Sequence, residues 1–151
     1  MMGKKELESW PLFNIFFIRK MDISVARNST SGVKEAMSQA SEILDLGIPI
    51  VIFPEATIPH TVPKMKVFKN GAFKLAVEKQ VPIVPVTFLN NWKLLQGTKL
   101  LKGNARPGFS RIVVHKAIYP SEMRNDNDVL SIKNKVYEAI QNPLIKLYDL
   151  N

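Results

Sequence analysis

Ile48-Pro49-Ile50-Val51-Ile52-Phe53 is a continuous apolar run, followed at once by Pro54-Glu55-Ala56-Thr57. A short run without alternation has the look of a strand buried on both faces, the kind found inside a parallel sheet. Pro49 fits only its start. Working outward, Val33, Ala36, Met37, Ala40, Ile43 and Leu44 precede it at helical spacing. Ser29-Thr30-Ser31 offers N-caps for that helix, and Gly47 stops it. Before the helix, Met21 to Ala26 alternates apolar and polar, a strand signal. Residues 6–18 concentrate Trp10, Phe13, Phe16 and Phe17, and Pro11 with Ser9 suits the first turn of a short helix.

After the run and a proline-rich loop, Asn70-Gly71 reads as a cap. The helix behind it has Ala72, Phe73, Ala76 and Val77 on its core face and runs to about Lys79. Val81 to Phe88 is the next strand. Pro82 and Pro85 each remove a ladder donor there, which predicts an edge or irregular strand. Gly97 to Gly108 is basic and turn-rich, and Phe109 to His115 is a further strand. Asp128 reads as the cap of a last helix, with Val129, Ile132, Val136 and Ile140 inward and Pro143 ending it before an apolar tail.

Strands alternating with helices predict an α/β domain: a mixed, largely parallel sheet flanked by helices. No repeat, low-complexity tract or linker interrupts residues 1–151, so the chain reads as one domain. Ligands of open α/β sheets bind outside the carboxyl ends of strands. That edge is predicted to carry Arg27 and Asn28, then Pro54, Glu55 and Thr57, then Asn90, Asn91 and Trp92.

Composition narrows the chemistry. The 151 residues are 46 % hydrophobic and 23 % charged, and a chain of this length can bury one core without staples. With no cysteine, disulfides, thiol nucleophiles and cysteine-bound zinc are excluded. His60 and His115 have no metal-ligand spacing. No apolar run approaches the roughly 18–20 residues of a membrane span, and the charged N-terminus does not read as a signal peptide. Twenty-one Lys and Arg against thirteen Asp and Glu give a net charge of +8, which suits polyanions, anionic lipid or phosphorylated substrates.

Glu55, directly after the most apolar strand, is a candidate base, hydroxyl acceptor or loop organiser. Arg27 is either a bidentate phosphate clamp or an exposed arginine. Lys64, Lys66 and Lys69 surround Phe68 without any nucleic-acid recognition signature. They therefore suggest a phosphate or lipid-headgroup role, or a solvated face. His60 reads as an exposed loop histidine in preference to a base, and His115 as structural. Gly97, Gly103 and Gly108 fit neither the dinucleotide nor the P-loop spacing.

Four blocks carry a family resemblance. Phe53-Pro54-Glu55-Ala56-Thr57 resembles the Phe-Pro-Glu-Gly-Thr block of the lysophosphatidate (1-acylglycerol-3-phosphate) acyltransferases. Phe68-Lys69-Asn70-Gly71 resembles their Phe-Lys-x-Gly block, and Val81 to Val86 their Val-Pro-Ile-Val-Pro-Val block. Met21 to Arg27 resembles the segment ending in the family's phosphate-associated arginine. The resemblance implies a glycerolphosphate acyltransferase-like fold. It also implies transfer of an acyl group from a coenzyme A or acyl carrier protein thioester to a lysophospholipid hydroxyl, without metal or redox cofactor. Arg27, Phe53, Pro54, Glu55, Ala56, Thr57, Lys69 and Gly71 are its substrate-binding positions. Leu7, Trp10, Phe13, Phe16 and Phe17, flanked by Lys4, Lys5, Arg19 and Lys20, suit the interface of an anionic membrane or else cap the domain core. With the lipid substrate that the resemblance implies, the cytoplasmic side of a membrane is the expected location, and nucleic acid is not an expected partner.

Three departures qualify the match. The family's His-x4-Asp dyad, in which aspartate orients a histidine that deprotonates the acceptor, has no counterpart here. Met65 stands five residues after His60, and Pro120 five after His115. No catalytic residue is therefore assigned. The chain reads as the C-terminal, substrate-binding part of a longer enzyme, inactive alone, or as a non-catalytic phospholipid-binding remnant. The block's glycine is Ala56, a restriction if that position needs positive φ. Its following arginine is Ile58, leaving Lys64 or Lys69 to replace the charge.

Overall fold

A computed structural model describes the chain at residues 2–4, 23–25, 29–57, 61–94, 105–121 and 126–150. Two units emerge, Met1–Phe53 and Pro54–Asn151. In the first, β1 (Met2–Lys4) pairs in parallel with β2 (Ile23–Val25), Gly3 opposite Ser24. The N-terminal aromatics, Arg27, Asn28, Ile58 and His60 lie outside the described residues.

Helix α1 (Thr30–Asp45) begins and ends where its sequence signals stand. Ser29 sits at the N-cap with extended backbone, and its hydroxyl accepts from the Gly32 N–H at 3.4 Å. At the other end Gly47 takes φ +74°. Its N–H reaches the Leu44 carbonyl at 2.9 Å, and the Ile48 N–H reaches Ile43 at 3.2 Å. Those paired bonds are a Schellman stop, which the absence of a Cβ on glycine permits. Ala36 and Ala40 are its buried residues, and α1 packs against β2, where Ile23 is buried.

The run Ile48–Phe53 is not a strand. No residue of it enters a ladder among the described residues, and Ile48, Val51 and Phe53 are about half exposed. A doubly buried strand needs a hydrogen-bonded neighbour on each side, which apolar composition alone does not supply.

The second unit holds α2 (Gly71–Lys79), β3 (Val86–Phe88), α3 (Asn91–Leu94), β4 (Ile112–Val114) and α4 (Asp126–Tyr148). Strands β3 and β4 pair antiparallel, Val86 opposite Val114 and Phe88 opposite Ile112. Ile83 pairs with Ile118, so between that pair and Val86–Val114 two residues on one side oppose three on the other, which is a bulge. The irregular strand expected from Pro82 and Pro85 is thus found. Strands and helices are both present, but without the strand expected at Ile48–Phe53 α1 is followed by α2, and parallel pairing among the described residues is confined to β1 and β2. Between β3 and β4 the described residues of the connection hold only the four-residue α3, and the two strands run antiparallel.

The core of this unit joins α2 to α4. Phe68, Phe73 and Val77 meet Val129, Ile132 and Val136, and all six are buried. Phe68 stacks on Phe73 at 6.1 Å between centroids and meets Tyr137 edge-on at 4.9 Å. The predicted inward faces of both helices are therefore correct. Pro143 does not end α4, which continues to Tyr148. A proline removes the N–H that would reach the carbonyl four residues earlier, here that of Ala139. In the same turn the Ile140 carbonyl accepts from the Thr87 hydroxyl at 3.1 Å, which ties this part of α4 to β3. The tail is then held by the Tyr148 hydroxyl, which donates to the Leu89 carbonyl at 2.9 Å.

Candidate functional site

The segment Pro54–Thr57 is a tight turn laid against residues 66–69. The Thr57 N–H reaches back to the Glu55 carbonyl at 2.7 Å, closing a three-residue turn around Ala56. Ala56 carries φ +59°, a region alanine enters only under strain. The position that the resembled family fills with glycine does require positive φ.

Three further bonds tie the turn down. The Glu55 Oε2 accepts the Lys66 backbone N–H at 2.9 Å, and the Lys66 Nζ donates to the Thr57 Oγ1 at 2.9 Å. The Lys69 N–H donates to the Pro54 carbonyl at 2.8 Å. Burial pushes the Glu55 carboxyl above its usual value, while the Lys66 amide bond and ammonium charge pull it back. Of the three roles open to Glu55 in the sequence, this geometry is that of a loop organiser.

The turn gathers Pro54, Glu55, Ala56, Thr57 and Lys69, with Gly71 exposed two residues further on as the first residue of α2. Phe53 stands half exposed at the end of the first unit, and Arg27 is among the residues not described. The cation at Thr57 is Lys66, and not the expected Lys64 or Lys69. Its signal was already present in the cluster Lys64, Lys66, Lys69, but its pairing depends on a turn that spacing alone does not reveal. Asn70 precedes α2, yet its side chain makes no cap; its Oδ1 accepts from the Lys133 Nζ at 2.9 Å.

The other predicted edge residues serve structure. The Asn90 Nδ2 donates to the Phe109 carbonyl, its Oδ1 accepts the Arg111 N–H, and the Asn91 Oδ1 accepts the Ser110 hydroxyl. Trp92 packs edge-on against Tyr148, and the Lys93 Nζ lies over both rings. His115 Nε2 lies 2.9 Å from the Thr87 Oγ1. Because that hydroxyl gives its single proton to Ile140, the histidine is the donor, which occupies Nε2 in a structural contact. Among the described residues no three His, Asp or Glu side chains gather as a metal site needs.

Comparison with known proteins gives a consistent result. A family model described as Acyltransferase matches residues 1–89. A 1-acyl-sn-glycerol-3-phosphate acyltransferase of Chlamydomonas reinhardtii is 38 % identical over 88 residues, covering 58 % of this chain and 26 % of that protein. A Helicobacter pylori protein of the same name is 29 % identical over 119 residues, covering 79 % and 49 %. In fold, the chain is similar to the crystal structure of the 1-acyl-sn-glycerophosphate acyltransferase PlsC from Thermotoga maritima. The TM-score is 0.76 at 22 % identity, covering 97 % of this chain and 55 % of that one. The chain thus spans between about a quarter and a half of the length of the two curated relatives.

Proposed function

The chain belongs to the acyltransferase family, and from that membership we propose that it is the acceptor-binding part of an enzyme of phospholipid biosynthesis. The reaction moves an acyl group from a thioester to the free hydroxyl of 1-acylglycerol-3-phosphate or a similar lyso-lipid. A general base takes the hydroxyl proton, the oxygen attacks the thioester carbonyl, and the thiol departs as the new ester forms. The donor thioester, carried by coenzyme A or acyl carrier protein, is a co-substrate; no metal or redox cofactor takes part.

The observation that carries this reading is the Pro54–Thr57 turn, with its strained Ala56 and the Lys66 ammonium bonded to Thr57. A threonine hydroxyl and an ammonium side by side suit a phosphomonoester. Glu55 is the strut that holds that pair in place. No general base is assigned within the chain, since His115 is committed to Thr87 and the His-x4-Asp pattern does not occur. The 151 residues alone therefore bind acceptor without turning over thioester. Association with the cytoplasmic side of a membrane is part of the same proposal, supported by a substrate that resides in a bilayer; no helix among the described residues is long and apolar enough to cross a membrane.

Titration with a short-chain lysophosphatidate, followed by amide NMR shifts, tests the reading. Shifts are expected at Thr57, Lys66 and Lys69, much reduced with the phosphate-free monoacylglycerol, and thioester consumption should not exceed a heat-treated control. Equal response to both lipids would remove the phosphate assignment. Turnover by the chain alone would remove the claim that it lacks the base.

A further inference from the structure

The Pro54–Thr57 turn is tied down by the segment 66–69, through the Lys66 and Lys69 amides. That segment is held in turn by α4, which lies beyond residues 1–89 that the family model matches. Two residues of α4 one turn apart, and so on one face of the helix, reach it. The Tyr137 ring meets Phe68 edge-on, and the Lys133 Nζ donates to the Asn70 Oδ1 at 2.9 Å. The first contact belongs to the core. The second joins a half-buried lysine to an exposed asparagine and diverts that asparagine from its ordinary task. Asn70 stands at the N-cap of α2. Asparagine there usually takes an extended backbone and turns its side-chain oxygen back onto an N–H of the first helical turn. Ser29 does this at α1, with φ −131° and ψ 129°. Asn70 instead has helical backbone, φ −75° and ψ −18°, and its oxygen goes to Lys133.

We propose that Lys133 is a positioning residue of the acceptor site: by engaging Asn70 it keeps that residue out of the capping conformation and so keeps the Lys69 N–H on the Pro54 carbonyl. Without Lys133, the Asn70 oxygen is released to cap α2. Reaching the ψ of Ser29 from its own takes Asn70 from −18° to 129°, a rotation of 147°. Phe68 and Phe73 are both fixed in the core, so the change falls on the few residues between them. Lys69 is one of these, and its N–H holds the Pro54 carbonyl at 2.8 Å. Losing that bond loosens the turn that presents Thr57 to the Lys66 ammonium. The proposal rests on the reading of this turn as the acceptor site, but its conformational part is visible in the protein without ligand.

Lys133→Met tests it, with Lys133→Arg as the conservative variant and Asn70→Ala as the background that has no side-chain oxygen to release. In ligand-free Lys133→Met, the Asn70 carbon-13 shifts should move from helical towards extended values, and the Lys69 amide should exchange its hydrogen faster. The Kd for short-chain lysophosphatidate should rise roughly three- to tenfold, the equivalent of one net hydrogen bond. The urea midpoint should hold, because α2 gains a cap as it loses the Lys133 bond. Lys133→Arg should restore the shifts and the affinity. In the Asn70→Ala background, Lys133→Met should change the affinity no further, the non-additivity expected of coupled residues. Unmoved Asn70 and Lys69 signals, or a lower urea midpoint with unchanged affinity, would overturn the proposal. So would an equal loss of affinity in both backgrounds, which would make Lys133 a charge acting directly on the anion. Failure of the wild type to bind lysophosphatidate would remove the acceptor reading alone, and the Asn70 and Lys69 signals of the free protein would still decide whether Lys133 positions the turn.

Discussion

At residue scale the position to press is Ala56. Its φ of +59° is forced by a turn closed between Glu55 and Thr57 and anchored by the Lys66 and Lys69 amides. Glycine enters this region without the Cβ penalty, though it surrenders more backbone entropy on folding. Ala56→Gly should therefore raise unfolding free energy by about 1 kcal/mol, read in urea melts; an unchanged or lower value would mean that the turn carries no strain. Glu55 supplies a pH signature. Burial raises its carboxyl pKa in the folded chain, so the folded state holds the proton more tightly than the unfolded one. Stability contributed by this group is then lost as pH climbs from the usual glutamate value through the raised one. Glu55→Gln keeps an oxygen for the Lys66 N–H and removes the titration. Urea melts of both proteins between about pH 4 and 7 should show the wild type losing stability relative to the variant as pH rises, then levelling.

At element scale the revealing contact is Thr87, which joins β3 to α4 and to the His115 ring just beyond β4. Its hydroxyl is buried, donates to the Ile140 carbonyl near the Pro143 irregularity, and accepts from His115. Thr87→Val keeps the shape but removes both bonds and leaves the His115 ring N–H without this partner, and should cost about 1–3 kcal/mol. Thr87→Ser keeps the hydroxyl and should cost less. The reverse order in denaturant melts would show that the methyl group matters more than the polar link. The same contact ties β3 to the turn of α4 that precedes Pro143, and its donor lies more than fifty residues away in sequence.

For the molecule as a whole, the buried aromatic cluster of the second unit sets stability. Phe73 is buried, stacks with Phe68, and links α2 to α4 across a long sequence separation. Phe73→Ala should cost about 3–5 kcal/mol, and the backbone of residues 66–69, which holds the candidate turn, should exchange its amide hydrogens faster in the same variant. Protection of the Lys66 and Lys69 amides that survived this loss would separate the turn from the core.

Local signals were legible in the sequence. Ser29 and Gly47 bounded α1 because caps act on groups within a turn of themselves, and the apolar periodicity of α2 and α4 named the faces that pack. The loop Pro54–Thr57 was identified by its residue types, and the family by four ordered blocks. Tertiary structure decided what depends on a partner distant in sequence. Ile48–Phe53 has strand composition but joins no ladder among the described residues, because a strand is completed by its neighbours and not by itself. Pro143 sits inside α4, and the Thr87 hydroxyl reaches the Ile140 carbonyl from outside that helix, a contact that no local signal announces. Lys66, one of three similar lysines, became the partner of Glu55 and Thr57 because the turn folds onto it, a contact that one-dimensional spacing does not encode.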